Sequence, residues 1–290
     1  MLEIIIPILS ASLLKRFGVF KEGHERILID YVLFFSLPVL SFKAGYDIQT
    51  STDILKISSI AWACILACML SAYTIAKLLR LSSKEAKTFL LISSFGNTAF
   101  LGYPYTYTYF GQEGLQVAII YDNIGSFLLV SSLGVMIASG KPNLKEVILF
   151  PPFLGLILGF LMKGFSIPSA ILKALDFVAL STLPVILFAL GLSISLGEVK
   201  KNIKLSLLAV IIKVFVAFFV SLTVGVFIGL HGVAMKVSML ESVMPPMMFS
   251  AVLAIRYNLN SSLAFSAVGL GIVLSFAYLP FLVRVIERLF

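Results

Sequence analysis

Charge is scarce in this chain. Of its 290 residues only 12% are Asp, Glu, Lys or Arg, and 60% are apolar. A soluble domain keeps a polar shell over its core, so that composition excludes a water-soluble class. No polar stretch exceeds about 15 residues, which leaves no room for a soluble domain beside the apolar runs. The chain holds only two cysteines and two histidines. Cys64 and Cys68 lie four apart in one apolar run, a helical spacing that rarely suits a disulfide. No histidine is near to complete a metal site with them, so they read as small packing residues. His24 and His231 fall in loops and read as solvated. No G-x-S-x-G, H-E-x-x-H or P-loop pattern is present, and Asp122 has no convergent second Asp. The expectation is a non-enzyme with no cofactor and no bound metal. A basic leader is missing too: Met1 to Phe17 is apolar from its start and reads as a first span, not a cleaved signal.

What remains is a net charge of +8. The Lys and Arg residues sit in short clusters between apolar runs, which is how topology is signalled in membranes, not how nucleic acid is bound. A helix needs about 20 mostly apolar residues to cross the hydrocarbon core. Ten stretches qualify, over 2–17, 27–45, 54–79, 86–110, 114–139, 146–163, 169–196, 203–229, 232–256 and 261–288. The fold expected is therefore an all-α polytopic membrane protein with the lipid bilayer as its partner. Loops after odd-numbered spans carry 14 Lys and Arg against 7 on the opposite side. That bias puts the odd-numbered ends in the cytoplasm and both termini outside it.

The chain repeats itself. Residues 30–48, DYVLFFSLPVLSFKAGYDI, match residues 176–194, DFVALSTLPVILFALGLSI, at 8 of 19 positions, including Asp30/Asp176, Pro38/Pro184 and Gly45/Gly191. The offset is 146 residues. Five spans in residues 1–139, a short cytoplasmic linker at 140–145 and five spans in 146–290 make an inverted repeat. Secondary transporters are commonly built this way.

Helix breakers fall at matching places in the two halves. The stretch SFGNTAFLGYPYTYTYFG, 94–111, contains Gly96, Asn97, Gly102 and Pro104 inside an expected fourth span. Shifted by about one repeat it meets LESVMPPMMFSAVLAIRY, 240–257, with Pro245 and Pro246 inside the ninth. Paired interruptions of this kind point to a substrate site. Backbone groups freed by proline must face protein or a wet cavity. Two crossing broken helices would turn half-helix N-termini to the centre, a setting that suits an anion.

These stretches carry a family resemblance. FGNTAFLGYPYTYTYFGQEGLQVAIIYD resembles the fourth and fifth spans of the auxin efflux carrier family, PPFLGLILGF its sixth, LPVILFALGLSISL its seventh and PPMMFSAVLAIRYNLN its ninth. The resemblance covers nearly the whole chain. It implies two inverted five-helix repeats that build a scaffold and a transport domain, with crossover helices four and nine. In fold the family is similar to the bile acid:sodium symporters. It implies a prokaryotic plasma-membrane carrier, an exporter of a carboxylate or auxin-like acid working by alternating access. The short linker resembles prokaryotic members, which are associated with dicarboxylates such as malate or malonate. A homodimer through the scaffold domain is implied as well. Two alternatives stand beside export: uptake coupled to sodium or protons, and a ligand-binding sensor without transport.

The candidate site residues follow from depth and chemistry. Asn97 has two available roles, contacting substrate or capping freed backbone. Asp122 lies about 12 Å along span five at 1.5 Å per residue, a depth at which an ionisable group is functional by default. Glu241 precedes the second break, and Lys213 is deep in span eight. Asp122, Lys213 and Glu241 are the candidates for charge coupling, with Lys213 expected to have a buried partner. Gln116 and Tyr121 match the family's polar positions in span five and are candidates for substrate contact, as is Pro245. Tyr103, Tyr105, Tyr107 and Tyr109 read as interfacial belt and packing. Asp30 and Asp176 are expected to stabilise helix N-termini, with Lys43 and Asp47 at an interface.

Overall fold

The structure is a computed structural model that describes residues 2–21, 23–47, 53–141, 149–193 and 202–290. Among these residues every regular element is helical. In chain order they are α1 (Leu2–Arg16), α2 (His24–Asp47), α3 (Asp53–Leu78), α4 (Ser83–Ser94), α5 (98–110), α6 (112–139), α7 (Pro151–Met162), α8 (Ser169–Ser193), α9 (Ile203–Phe227), α10 (Gly232–Ser242), α11 (Met248–Arg256) and α12 (Ser261–Leu289). Helices α5 and α6 are joined at Gly111, whose φ of 61° and ψ of −154° turn the chain. Each of the ten apolar stretches meets helix. Six helical runs are long and apolar enough to cross a membrane, the joined Thr98–Ser139 among them. Most of the expected linker lies in 142–148, outside the described residues. So do Ile48 and Ile194, which end the sequence repeat.

The outer faces explain the composition. Phe227 is 89% exposed and Phe177 80% exposed, and many other large apolar side chains point outward. Lipid solvates such faces, so the protein does not have to hide them. The interior is also apolar, with alanines and serines among its larger side chains that let helices approach closely. Cys64 and Cys68 are buried and unpaired in α3, facing backbone carbonyls of α9, as their packing role requires.

The helices pack in two groups. Helices α1, α2, α7 and α8 hold chiefly to one another, and α3 to α6 pack with α9 to α12. Glycine sets the closest approaches in the first group. A Cβ on Gly45 of α2 would collide with the Leu156 carbonyl of α7, and one on Gly191 of α8 with the Ile8 carbonyl of α1. These two glycines are the pair matched at an offset of 146. Each rests on the backbone of a short helix, 12 residues long in α7 and 15 in α1. Adding methyl groups to a packed contact costs about 1–3 kcal/mol. Gly45→Val and Gly191→Val are expected to lower the thermal midpoint of the purified protein to a similar degree. Unchanged midpoints in detergent would contradict the close packing.

Candidate functional site

The two broken helices meet backbone to backbone. Helix α4 ends at Ser94, and Phe95 is extended at φ −99°, ψ 123°. Helix α10 ends at Ser242, and Met247 is extended at φ −70°, ψ 135° before α11. Gly96 then lies opposite Pro246 in an isolated antiparallel bridge. The Asn97 N–H donates to the Pro245 carbonyl at 2.7 Å, and the Met247 N–H donates to the Phe95 carbonyl at 2.9 Å. Pro245 and Pro246 have no N–H to satisfy, so the exchange falls on the residues flanking them. Four backbone groups that would otherwise be orphaned deep in the protein are paired by this contact.

Lysine 213 supports the crossing from below. It is 2% exposed and sits in a π-helical turn of α9, Ile212–Val216. Its Nζ donates to the Ser242 carbonyl at the end of α10 and packs beside Gly96. A cation at a helix C-terminus is favourably placed against the helix dipole. The buried partner expected for Lys213 is therefore a backbone carbonyl. No ion pair joins it to Asp122 or Glu241 within 4 Å among the described residues.

Both acids are buried beside the crossing. Asp122, 3% exposed, sits in a second π-helical turn, Tyr121–Phe127. One of its oxygens accepts from the Thr98 hydroxyl and the other from the Tyr103 hydroxyl at 2.9 Å. Glu241 is fully buried on α10, and its Oε1 lies 2.7 Å from Thr106 Oγ1. Among the described residues its Oε2 has no hydrogen-bond partner. The carboxyl rests on Gly102, where any Cβ would overlap it. The Asn97 amide is 1% exposed and its Nδ2 is likewise without a partner.

Several expectations need correction. Gly102 and Pro104 do not break the fourth span: Gly102 is helical at φ −58°, ψ −51°, and Pro104 lies in the first turn of regular helix. The chain unwinds only at 95–97. A π-helical turn, Thr98–Gly102, precedes Pro104 and accommodates its missing N–H, while Gly102 makes room for Glu241. Tyr103 and Tyr105 are fully buried and not part of an interfacial belt, whereas Tyr107 is 41% exposed. Gln116 is half-buried, one and a half turns before Asp122. Tyr121 is buried next to Asp122. Asp176 lies well inside α8 and serves no helix terminus; it pairs with Lys43 of α2 at 3.0 Å, and Lys43 also reaches Asp47 at 3.4 Å.

That ion pair marks the mouth of a cavity of about 630 Å³ between the two helix groups. Its walls come from α1, α2, α5, α6 and α8, with leucines and prolines beside Glu3, Lys43, Asp47 and Asp176. Of the expected site residues only Pro104 lines it; Asn97, Asp122 and Glu241 lie deeper. Sequence reasoning missed Thr98 and Thr106, and it set Lys43 at an interface without its partner Asp176. Thr98, Gly102 and Thr106 recur every four residues, which puts two hydroxyls and a gap on one helix face. That spacing was a readable signal.

Buried polar crossings flanked by lipid-facing helices define a polytopic membrane protein with an internal polar site. The comparisons are specific. Residues 1–283 match the family described as Membrane transport protein. The chain belongs to this family, the auxin efflux carrier family. It is 31% identical over 281 residues to an uncharacterized transporter of Methanocaldococcus jannaschii, covering 92% of this chain and 91% of that one. It is 28% identical over 290 residues to an uncharacterized transporter of Methanothermobacter thermautotrophicus, covering 96% and 95%. The protein is thus an integral membrane transporter.

Removing a donor from a buried acceptor costs about 1–3 kcal/mol. Thr98→Val and Tyr103→Phe are each expected to destabilise the protein by that amount, read as a lower thermal midpoint. The double variant is expected to lose less than the two together, because both act through Asp122. Additive losses would place the two hydroxyls in separate networks.

Proposed function

We propose that this protein is a secondary carrier of a small organic anion, with its site where the broken helices cross. One observation carries the reading. The Asn97 amide is buried with an unpartnered donor beside the N-termini of α5 and α11. The first turns of such helices hold N–H groups without helical partners and favour negative charge. A carboxylate there would accept from the amide and from backbone together.

The architecture is read as ten spans in two inverted halves. The reciprocal bonds at the crossing support this, since each half contributes one donor and one acceptor. So does the equivalent seating of Gly45 and Gly191. The group α1, α2, α7 and α8 then serves as scaffold, and the group holding the crossing moves against it. The cavity lies between them, at helix ends that the Lys and Arg bias places outside the cell. Three carboxylates against one ammonium at its mouth repel an anion once it leaves the site, which favours release outward and hence export.

The test is flux of radiolabelled malate and indole acetate from proteoliposomes. Saturable flux is expected. A hydrogen bond to a charged group is worth about 1.5–3 kcal/mol, so Asn97→Ala is expected to weaken apparent affinity about ten- to hundredfold while leaving the fold intact. Unchanged flux in that variant would remove Asn97 from the site. Saturable binding with no flux would make the protein a sensor.

A further inference from the structure

The hydrogen-bond chain at Glu241 is one proton short if that residue is ionised. Thr106 Oγ1 touches two oxygens, the Gly102 carbonyl one turn back and Glu241 Oε1 at 2.7 Å. A hydroxyl has one proton to give and lone pairs to receive another. The Gly102 carbonyl can only accept. Both contacts are hydrogen bonds only if the second proton comes from the glutamic acid: the carboxyl donates to Thr106, and Thr106 donates to Gly102. Asp122 differs. Its two oxygens meet two separate hydroxyls, Thr98 and Tyr103, and need no proton of their own.

Charge balance agrees with this. The charged groups acting on Glu241 from the surrounding helices are Asp122 of α6 and Lys213 of α9. Tyr103 and Tyr121 face it from α5 and α6. Cys64 and Cys68 of α3 are buried nearby, and the half-buried Tyr278 of α12 donates to the Val243 carbonyl. With all of those uncharged, one ammonium and one carboxylate cancel. A second carboxylate would leave a net negative charge in a region far from water, where isolated charge is very costly.

We propose that Glu241 carries a proton in this conformation and is the proton-coupling group of the carrier. Asp122 is a fixed negative charge and Lys213 its fixed counter-charge. A proton on Glu241 lets an anionic substrate arrive beside the cluster and cross with one negative charge fewer to move. The coupling half of this inference rests on the transporter reading above; the protonation half does not.

Infrared spectroscopy of the purified full-length chain separates them. At neutral pH a protonated-carboxyl band is expected that shifts on deuteration. It should shift with ¹³C-labelled glutamate in the unmodified protein and stay in place with ¹³C-labelled aspartate. It should vanish in Glu241→Gln. Absence of the band, a band that follows aspartate labelling, or one that survives Glu241→Gln would overturn the assignment. In proteoliposomes clamped at zero potential, radiolabelled malate flux is expected to change severalfold with an imposed pH gradient. Flux indifferent to the gradient would overturn the coupling. The infrared band without any flux would overturn the transporter reading while leaving the proton on Glu241.

Discussion

Everything at the centre of this protein depends on two backbone hydrogen bonds between segments that are not helical. Within a bilayer an unpaired N–H or carbonyl costs several kcal/mol, so spanning segments are normally unbroken helices. Here two helices stop inside the protein, and the exchange between 95–97 and 245–247 satisfies what the stops expose. The prolines fix where this happens by removing their own donors. The result is non-helical backbone held inside protein, beside two helix N-termini and next to the buried Asn97 amide.

The side chains around the crossing answer the same constraint. Lys213 takes the carbonyl that α10 leaves open at Ser242. Thr98 and Tyr103 satisfy Asp122, and Gly102 leaves space for the Glu241 carboxyl. Three π-helical turns carry Thr98, Asp122 and Lys213. Widening a helix by one residue re-aims its side chains, which brings these groups together from three different helices. The group of α1, α2, α7 and α8 faces this cluster across the cavity, and its own close packing rests on glycines.

Much of this was legible before any coordinates. Apolar length located each helix, because hydrophobic runs and polar clusters are the direct trace of lipid and water. Pro245 and Pro246 marked their break correctly. Gly102 and Pro104 misled, because a breaker signals conformational permission without saying whether it is used. Gly102 uses its small size and not its freedom, and a π-helical turn absorbs Pro104. Asp122 and Glu241 stood out by depth, but their hydroxyl partners did not, since Thr and Tyr are ordinary in apolar helices. Asp176 looked like a helix-terminal acid because its pairing with Lys43 joins residues 133 apart. No local pattern records such a contact.

Residue-resolved hydrogen exchange tests the crossing most directly. The amides of Asn97 and Met247 belong to no helix, so the hydrogen bonds that protect them are those to Pro245 and Phe95. The account predicts exchange at both as slow as in the flanking turns of α4 and α10. Exchange at the rate of the surface turns near Arg80 and Asn258, at either amide, would contradict it.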